Sequence, residues 1–188
     1  MTKQFDNLFQ NNVQRRLGYA WNHCRHHKPS PEARQLLNDW VIAEYMEHIA
    51  PKYTVEVVAA DPYSGDAELR CRVSRTNHIE VFAWSKDDCE RHFMGPVVGQ
   101  MYQAMHDVVH HAEQDFDFGC EGERQSMLQM KRDLIAFGKD QGYEFGTLKE
   151  AVNVLVSHTY LRVLGILWLL EIHGNTDKYK HRLYNVCK

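Results

Sequence analysis

Residues 53–84 read YTVEVVAADPYSGDAELRCRVSRTNHIEVFAW, and the expected fold class follows from this segment. It contains three short runs in which β-branched residues or an apolar–polar alternation prevail, at residues 53–58, 68–73 and 78–84. Turn-forming residues separate the runs, at Asp61–Asp66 and at Thr76–Asn77. Short runs divided by turns are typical of neighbouring strands in one sheet. The segment therefore predicts a small antiparallel three-stranded sheet over about residues 53–84.

Outside this segment the sequence favours helices. Ser30 suits an N-cap, and Pro31 suits the first helical position after it. Thr147 and Glu150 have the spacing of a capping box at the start of the last helix. The helices predicted from apolar spacing cover about residues 4–26, 30–49, 97–112, 122–138 and 147–172. Together with the sheet they predict an α+β fold, a predominantly helical single domain over residues 1–188.

The composition narrows the classes of partner. The chain has 188 residues, with 22 Lys and Arg against 25 Asp and Glu, which gives a formal charge of −3. This balance lacks the dense positive field of a nucleic-acid-binding protein, so nucleic acid is not an expected partner. The chain also has 12 histidines, a high number that points to metal or acid–base chemistry.

Cysteine usage and hydropathy predict a cytoplasmic protein. The five cysteines are scattered and form no CxxC pair, which is typical of thiols kept reduced in a cytosol. The N-terminal residues carry no apolar stretch of the signal-peptide type. The strongest apolar run, residues 163–170, is flanked by Arg162 and Glu171, and a membrane span needs about 20 residues. No membrane association is expected.

One segment concentrates groups that can carry chemistry. Residues 106–123 read HDVVHHAEQDFDFGCEGE, with three histidines and six carboxylates. On an α-helix His106 and His110 lie one turn apart, so their rings can converge on one ion. Asp107 and His111 form a second such pair on the neighbouring face. The helical wheel places most of these groups opposite an apolar arc, so we expect them to face water or a polar cleft.

The residues that follow the histidines suggest how such a cleft would close. Phe116 and Phe118 can anchor the loop, and Gly119 permits a sharp turn into the next helix. Two antiparallel helices joined in this way bring Glu123 beside the histidines. Two histidines and a carboxylate with an open fourth position are the layout of a catalytic zinc site. Asp107 would then orient a ligand or act as a general base.

This segment also resembles known motifs. The pattern His106-Asp107-x3-His111-x11-Glu123, ending in Gly122-Glu123, resembles a His-Asp…His…Gly-Glu pattern of uncharacterised tailed-bacteriophage proteins. It is similar to the zinc motif of the coenzyme Q protein four family, His-Asp-x2-His-x11-Glu, in which His110 takes the second histidine position. From His110, however, Glu123 lies one residue too far along the chain. The resemblance implies metal binding and carries over no quinone substrate.

The second histidine ligand stays open between two positions. One-turn spacing from His106 favours His110, whereas the phage-like pattern favours His111. The candidate ligands are therefore His106, His110 or His111, and Glu123, with Asp107 as the candidate catalytic group. Zinc is the expected ion, in a metal-dependent hydrolase, and the expected partner is a small molecule or a host protein.

Two other functions compete with this hypothesis. One is a phage-encoded interaction protein that binds a host protein without catalysis. The other is a nucleotide phosphohydrolase of the His-Asp type, using Mn²⁺ or Mg²⁺. It would pair His106-Asp107 with His78 or His92 upstream and with Asp133 downstream.

The last predicted helix also suggests self-association. Its residues are apolar around most of the circumference, as at Leu164, Leu167 and Trp168. Exposed apolar area of this kind favours a two-fold homodimer.

Overall fold

The computed structural model describes residues 28–59 and 62–157. The predicted helix over residues 4–26 lies outside this part of the chain, as do residues 158–172 of the last predicted helix and the dimer contact expected from them.

The described chain consists mainly of helices. Six are α-helices, α1 (Pro31–Glu44), α2 (Asp66–Thr76), α3 (Lys86–His92), α4 (Pro96–Met105), α5 (Cys120–Asp140) and α6 (Phe145–Leu155). Two are π-helices: the first, Tyr45–Ile49, continues α1, and the second, His106–Glu113, continues α4. Two strands, β1 (Thr54–Val58) and β2 (His78–Phe82), complete the described elements. None of the described helices combines the length and apolar character that a membrane crossing requires.

The expected antiparallel three-stranded sheet is wrong. The described residues contain one sheet of two strands, and β1 and β2 run parallel, with Thr54 opposite His78 and Val58 opposite Phe82. The segment expected to form the middle strand is α2 instead. Because a helix carries the chain from the end of β1 back to the start of β2, the two strands point the same way. The fold is dominated by helices.

The sequence of α2 fits both the two-residue period of a strand and the period of a helix, and the pattern of burial shows why a helix forms. Leu69 and Val73 are both buried, and their spacing of four residues fits one helix face. Cys71, which completed the strand-like alternation, is exposed. The acidic residues at 66 and 68 also pair with the arginines four residues later, which stabilises a helix and not a strand.

The start of α1 ties the two ends of the described chain together. Ser30 caps this helix as expected, because its Oγ accepts a hydrogen bond from the Ala33 amide at 3.2 Å. Glu150 accepts hydrogen bonds from the Ser30 amide at 3.1 Å and from the Ser30 hydroxyl at 2.6 Å. The predicted Thr147–Glu150 capping box is therefore wrong: α6 begins at Phe145, and Glu150 joins α6 to α1.

The core lies where α1 packs against α4 and α6. Trp40 and Leu36 of α1 are almost completely buried, as are Met105 at the end of α4 and Leu155 of α6. The second π-helix continues α4 out of this core and packs against α2 and α5. The histidines of the π-helix are thereby held between the core and α5.

Candidate metal centre

The second π-helix decides which histidines meet. Its i→i+5 hydrogen bonds widen the turn, so residues five apart approach the same side of the helix. His106 and His111 are consequently neighbours, with their Nε2 atoms 3.1 Å apart and their rings nearly perpendicular at 89°. His111 is fully buried, and the side chain of His106 is 17% exposed. An α-helix would separate these two residues around the helix axis.

Glu123, in the first turn of α5, completes the cluster. Its Oε2 lies 3.6 Å from Nε2 of His106, and its Oε1 lies 3.6 Å from Nε2 of His111. The carboxylate is only 12% exposed. One ligand atom from each of the three residues lies within 4.8 Å of the other two. The described chain thus contains a group of side chains able to hold a metal ion.

The Nδ1 atoms of His106 and His111 both form hydrogen bonds within the protein. Nδ1 of His111 lies 2.9 Å from the Phe116 carbonyl oxygen, which can only accept, so His111 carries its hydrogen on Nδ1. Nε2 of neutral His111 therefore presents a lone pair to His106. Nδ1 of His106 is hydrogen-bonded to the Ser126 hydroxyl at 3.0 Å, and Ser126 is fully buried. The two rings are fixed with their Nε2 atoms towards each other.

The charges of the three groups depend on one another. Burial lowers the pKa of His106, but the Glu123 and Asp107 carboxylates together outweigh burial and raise this pKa above its ordinary value. Burial and the neighbouring His106 lower the pKa of His111 to about 4. Burial raises the pKa of Glu123, yet His106 reverses this effect, and the net shift is downward. Near neutral pH the cluster therefore holds an ionised carboxylate beside a neutral His111.

The loop between the second π-helix and α5 covers the cluster. Gly122 makes the cover possible, because a Cβ at this position would lie 2.0 Å from the Asp117 carbonyl oxygen. The loop can therefore lie directly on the first turn of α5, where Glu123 is. The predicted aromatic anchors contact the histidines: the Phe118 ring lies 4.5 Å from that of His111. Gly122 thus allows the loop backbone to approach the first turn of α5, and the next residue, Glu123, is a candidate metal ligand.

His110 is not brought into the cluster. Its ring stacks on Phe116, and its centroid lies 6.0 Å from that of His106. It is 2% exposed, and its Nδ1 has no hydrogen-bond partner among the described residues. Burial and the nearby His106 and His111 lower the pKa of His110 to about 3, so the ring is neutral. The expectation that His110 is the second histidine ligand assumed an α-helix. The segment that contains His110 is instead the second π-helix.

Asp107, the predicted catalytic group, lies beside the cluster without contributing one of its three ligand atoms. Burial raises the pKa of Tyr63 and the Asp107 charge adds to this rise, and the same charge contributes to the raised pKa of His106. Sequence reasoning missed Ser126. The available signal was its position three residues after Glu123, which places both side chains on one face of α5.

The residues expected for a phosphohydrolase do not join the cluster. His78 lies in a separate, more exposed group with Glu56 and Glu80, where Glu80 is already paired with Arg72 at 2.6 Å. His92 contacts Trp84, with ring centroids 4.8 Å apart. Both carboxylate oxygens of Asp133 accept from Gln129.

Comparison of the chain with protein-family models, with curated proteins and with solved structures found no match. The functional argument therefore depends on the geometry of the cluster.

Proposed function

We propose that His106, His111 and Glu123 bind zinc and that the protein is a metal-dependent hydrolase. The observation that carries the proposal is the approach of two imidazole Nε2 atoms to 3.1 Å, with a carboxylate oxygen 3.6 Å from each. One of these nitrogens bears a lone pair, so a positive centre between them stabilises the contact. The ionised carboxylate beside both nitrogens favours a cation at the same point.

The separations suit zinc. Tetrahedral zinc binds imidazole nitrogen and carboxylate oxygen at about 2.0–2.2 Å, which places neighbouring ligand atoms about 3.3–3.6 Å apart. The separation of 3.1 Å between the two nitrogens lies just below this range, and the 3.6 Å to the carboxylate lies at its upper end. The set of two imidazoles and one carboxylate is also one that catalytic zinc sites use.

The supporting hydrogen bonds are those expected around metal ligands. Histidines that bind a metal donate their other ring N–H to a carbonyl, a carboxylate or water, which fixes the ring orientation. The Phe116 carbonyl does this for His111, and Ser126 holds His106. Both partners come from segments outside the second π-helix, so the loop and α5 preorganise the site.

Three protein ligands leave a fourth position on tetrahedral zinc, which water occupies in catalytic sites. Zinc held by His106, His111 and Glu123 would lower the pKa of a bound water and so would supply a nucleophile for hydrolysis. The side chains of His106 and Glu123 keep 17% and 12% exposure, so we expect a substrate to approach the cluster from their side. Asp107, whose carboxylate acts electrostatically on His106, is the group that we assign as general base.

The test is zinc binding by protein purified without a histidine tag. We expect one zinc per chain by mass spectrometry of the metal content, and its loss in His106→Ala, His111→Ala and Glu123→Gln. Glu121→Gln is the matched control, because Glu121 lies on the same helix turn but is paired with Arg124 at the surface. A wild-type protein that binds no zinc would contradict the proposal.

Hydrolysis is tested on the zinc-loaded protein with p-nitrophenyl acetate and bis(p-nitrophenyl) phosphate as probes. Activity on either probe that disappears in Glu123→Gln and persists in Glu121→Gln supports the hydrolase. Full activity in Glu123→Gln would contradict it.

A further inference from the structure

The loop between the second π-helix and α5 is tied to α2 by an arginine. Nη1 of Arg70 donates a hydrogen bond to Oδ1 of Asp115 in this loop at 2.6 Å. Nη2 of the same guanidinium pairs with Asp66, which lies four residues earlier in α2. Asp66 thereby restrains the arginine on its own helix while Nη1 reaches the loop. Arg70 therefore connects α2 to the loop that covers the candidate metal centre.

The loop bends sharply at the residue that Arg70 contacts. Asp115 has a φ of 59°, in the left-handed region that residues other than glycine adopt at a cost. Its side chain is 82% exposed, so burial does not hold the bend. The next residue is Phe116, whose carbonyl oxygen lies 2.9 Å from Nδ1 of His111. The bend thus leads directly to the carbonyl that orients His111, and the ion pair with Arg70 stabilises the bend.

We propose that Arg70 is a positioning residue for the zinc ligand His111, and that it acts through the bend of the loop. The inference rests on the proposed zinc site and adds to it a residue from outside the three ligands. With the ion pair formed, the Phe116 carbonyl accepts from Nδ1 of His111, and Nε2 is directed towards the other ligands. With the ion pair broken, the loop can leave the left-handed conformation at Asp115. His111 then loses the partner that fixes its ring orientation.

The size of the effect follows from the exposure of the ion pair. The side chain of Arg70 is 31% exposed and that of Asp115 is 82% exposed. Exposed ion pairs change an equilibrium by up to about fivefold, and salt weakens them. Loss of the Arg70 charge should therefore speed the release of zinc about two- to fivefold at low ionic strength.

The test compares Arg70→Gln, Arg70→Lys and Asp115→Asn with wild type, and Arg72→Gln is the matched control. Arg72 lies on the same helix and also pairs with two carboxylates, those of Glu68 and Glu80, which lie outside the loop. Asparagine tolerates the left-handed region, so Asp115→Asn removes the charge and leaves the bend accessible. Zinc release from the loaded, tag-free proteins into an excess of chromogenic chelator is followed by stopped flow. Circular dichroism verifies that each variant is folded.

We expect release to be about two- to fivefold faster in Arg70→Gln and Asp115→Asn than in wild type. Arg72→Gln should keep the wild-type rate, and Arg70→Lys should restore part of the difference. Raising NaCl to about 0.5 M should bring wild type close to Arg70→Gln, because salt screens the ion pair. Equal rates in wild type and Arg70→Gln at low salt, or the same acceleration in Arg72→Gln, would overturn the role of Arg70.

A measurement without metal separates this inference from the proposed function. In the metal-free protein, nuclear magnetic resonance measures how fast the hydrogen on Nδ1 of His111 exchanges with water. We expect this exchange to be about two- to fivefold faster in Arg70→Gln than in wild type and unchanged in Arg72→Gln. If wild type binds no zinc, the proposed function fails, and the exchange rate still decides whether Arg70 positions His111. An exchange rate in Arg70→Gln equal to that of wild type would overturn the inference.

Discussion

Gly122→Ala is expected to disturb the metal centre without removing a ligand. The added Cβ would lie 2.0 Å from the Asp117 carbonyl oxygen, against an ordinary contact of 3.4 Å, so the loop backbone must retreat by about 1.4 Å. Overpacking of this kind costs about 1–3 kcal/mol. The retreat also breaks the bond from His111 to the Phe116 carbonyl, worth about 1 kcal/mol.

The total of about 2–4 kcal/mol corresponds to a fall in melting temperature of roughly 5–15 °C for a chain of this size. Zinc affinity should fall about 10–100-fold, the usual cost of losing a group that orients a metal-bound histidine. Differential scanning calorimetry and competition with a chromogenic chelator measure the two effects. Gly146→Ala is the control, because a Cβ there meets nothing within 4 Å. If Gly122→Ala matches wild type in both quantities, the loop does not support the site.

Three further predictions concern other contacts. Ser126→Ala should lower zinc affinity about 10–100-fold, because His106 loses its orienting partner, and chelator competition measures this; unchanged affinity would contradict the role of Ser126. Glu150→Gln should lower the free energy of unfolding by about 1–3 kcal/mol in urea titration, because this change weakens both hydrogen bonds to Ser30. A decrease no larger than in Glu144→Gln would show that these hydrogen bonds do not contribute to stability. The metal-free protein should lose stability as pH falls from about 6.5 towards 4, because the folded-state pKa of His110 is lowered to about 3 and the unfolded chain binds its proton first. Urea titrations at several pH values should show a smaller loss in His110→Gln, and an equal loss would refute this cause.

Local signals in the sequence were sufficient to predict several features of the structure. Ser30 and Pro31 predicted the start of α1, because capping depends on a few adjacent residues. The histidine-rich segment, its aromatic loop and Glu123 were recognisable from spacing and composition. Their convergence follows from two helices joined by a short loop, which the sequence pattern already indicated.

The features that could not be predicted depend on tertiary packing. The alternation at Leu69, Cys71 and Val73 fits a strand as well as a helix, and only burial distinguishes the two. The second π-helix has no sequence signature of its own. The spacing of one α-helical turn therefore predicted His110 as the neighbour of His106, whereas the wider turn of the π-helix brings His111 there.

The central claim is that the second π-helix selects His111 as a zinc ligand beside His106 and Glu123. The most direct measurement is the zinc content and zinc K-edge absorption spectrum of tag-free wild type, His110→Ala and His111→Ala, each supplied with one equivalent of zinc. We predict two imidazole nitrogens on zinc in wild type and in His110→Ala, and loss of zinc or of one nitrogen in His111→Ala. Zinc retained with two nitrogens in His111→Ala, or lost in His110→Ala alone, would contradict the account.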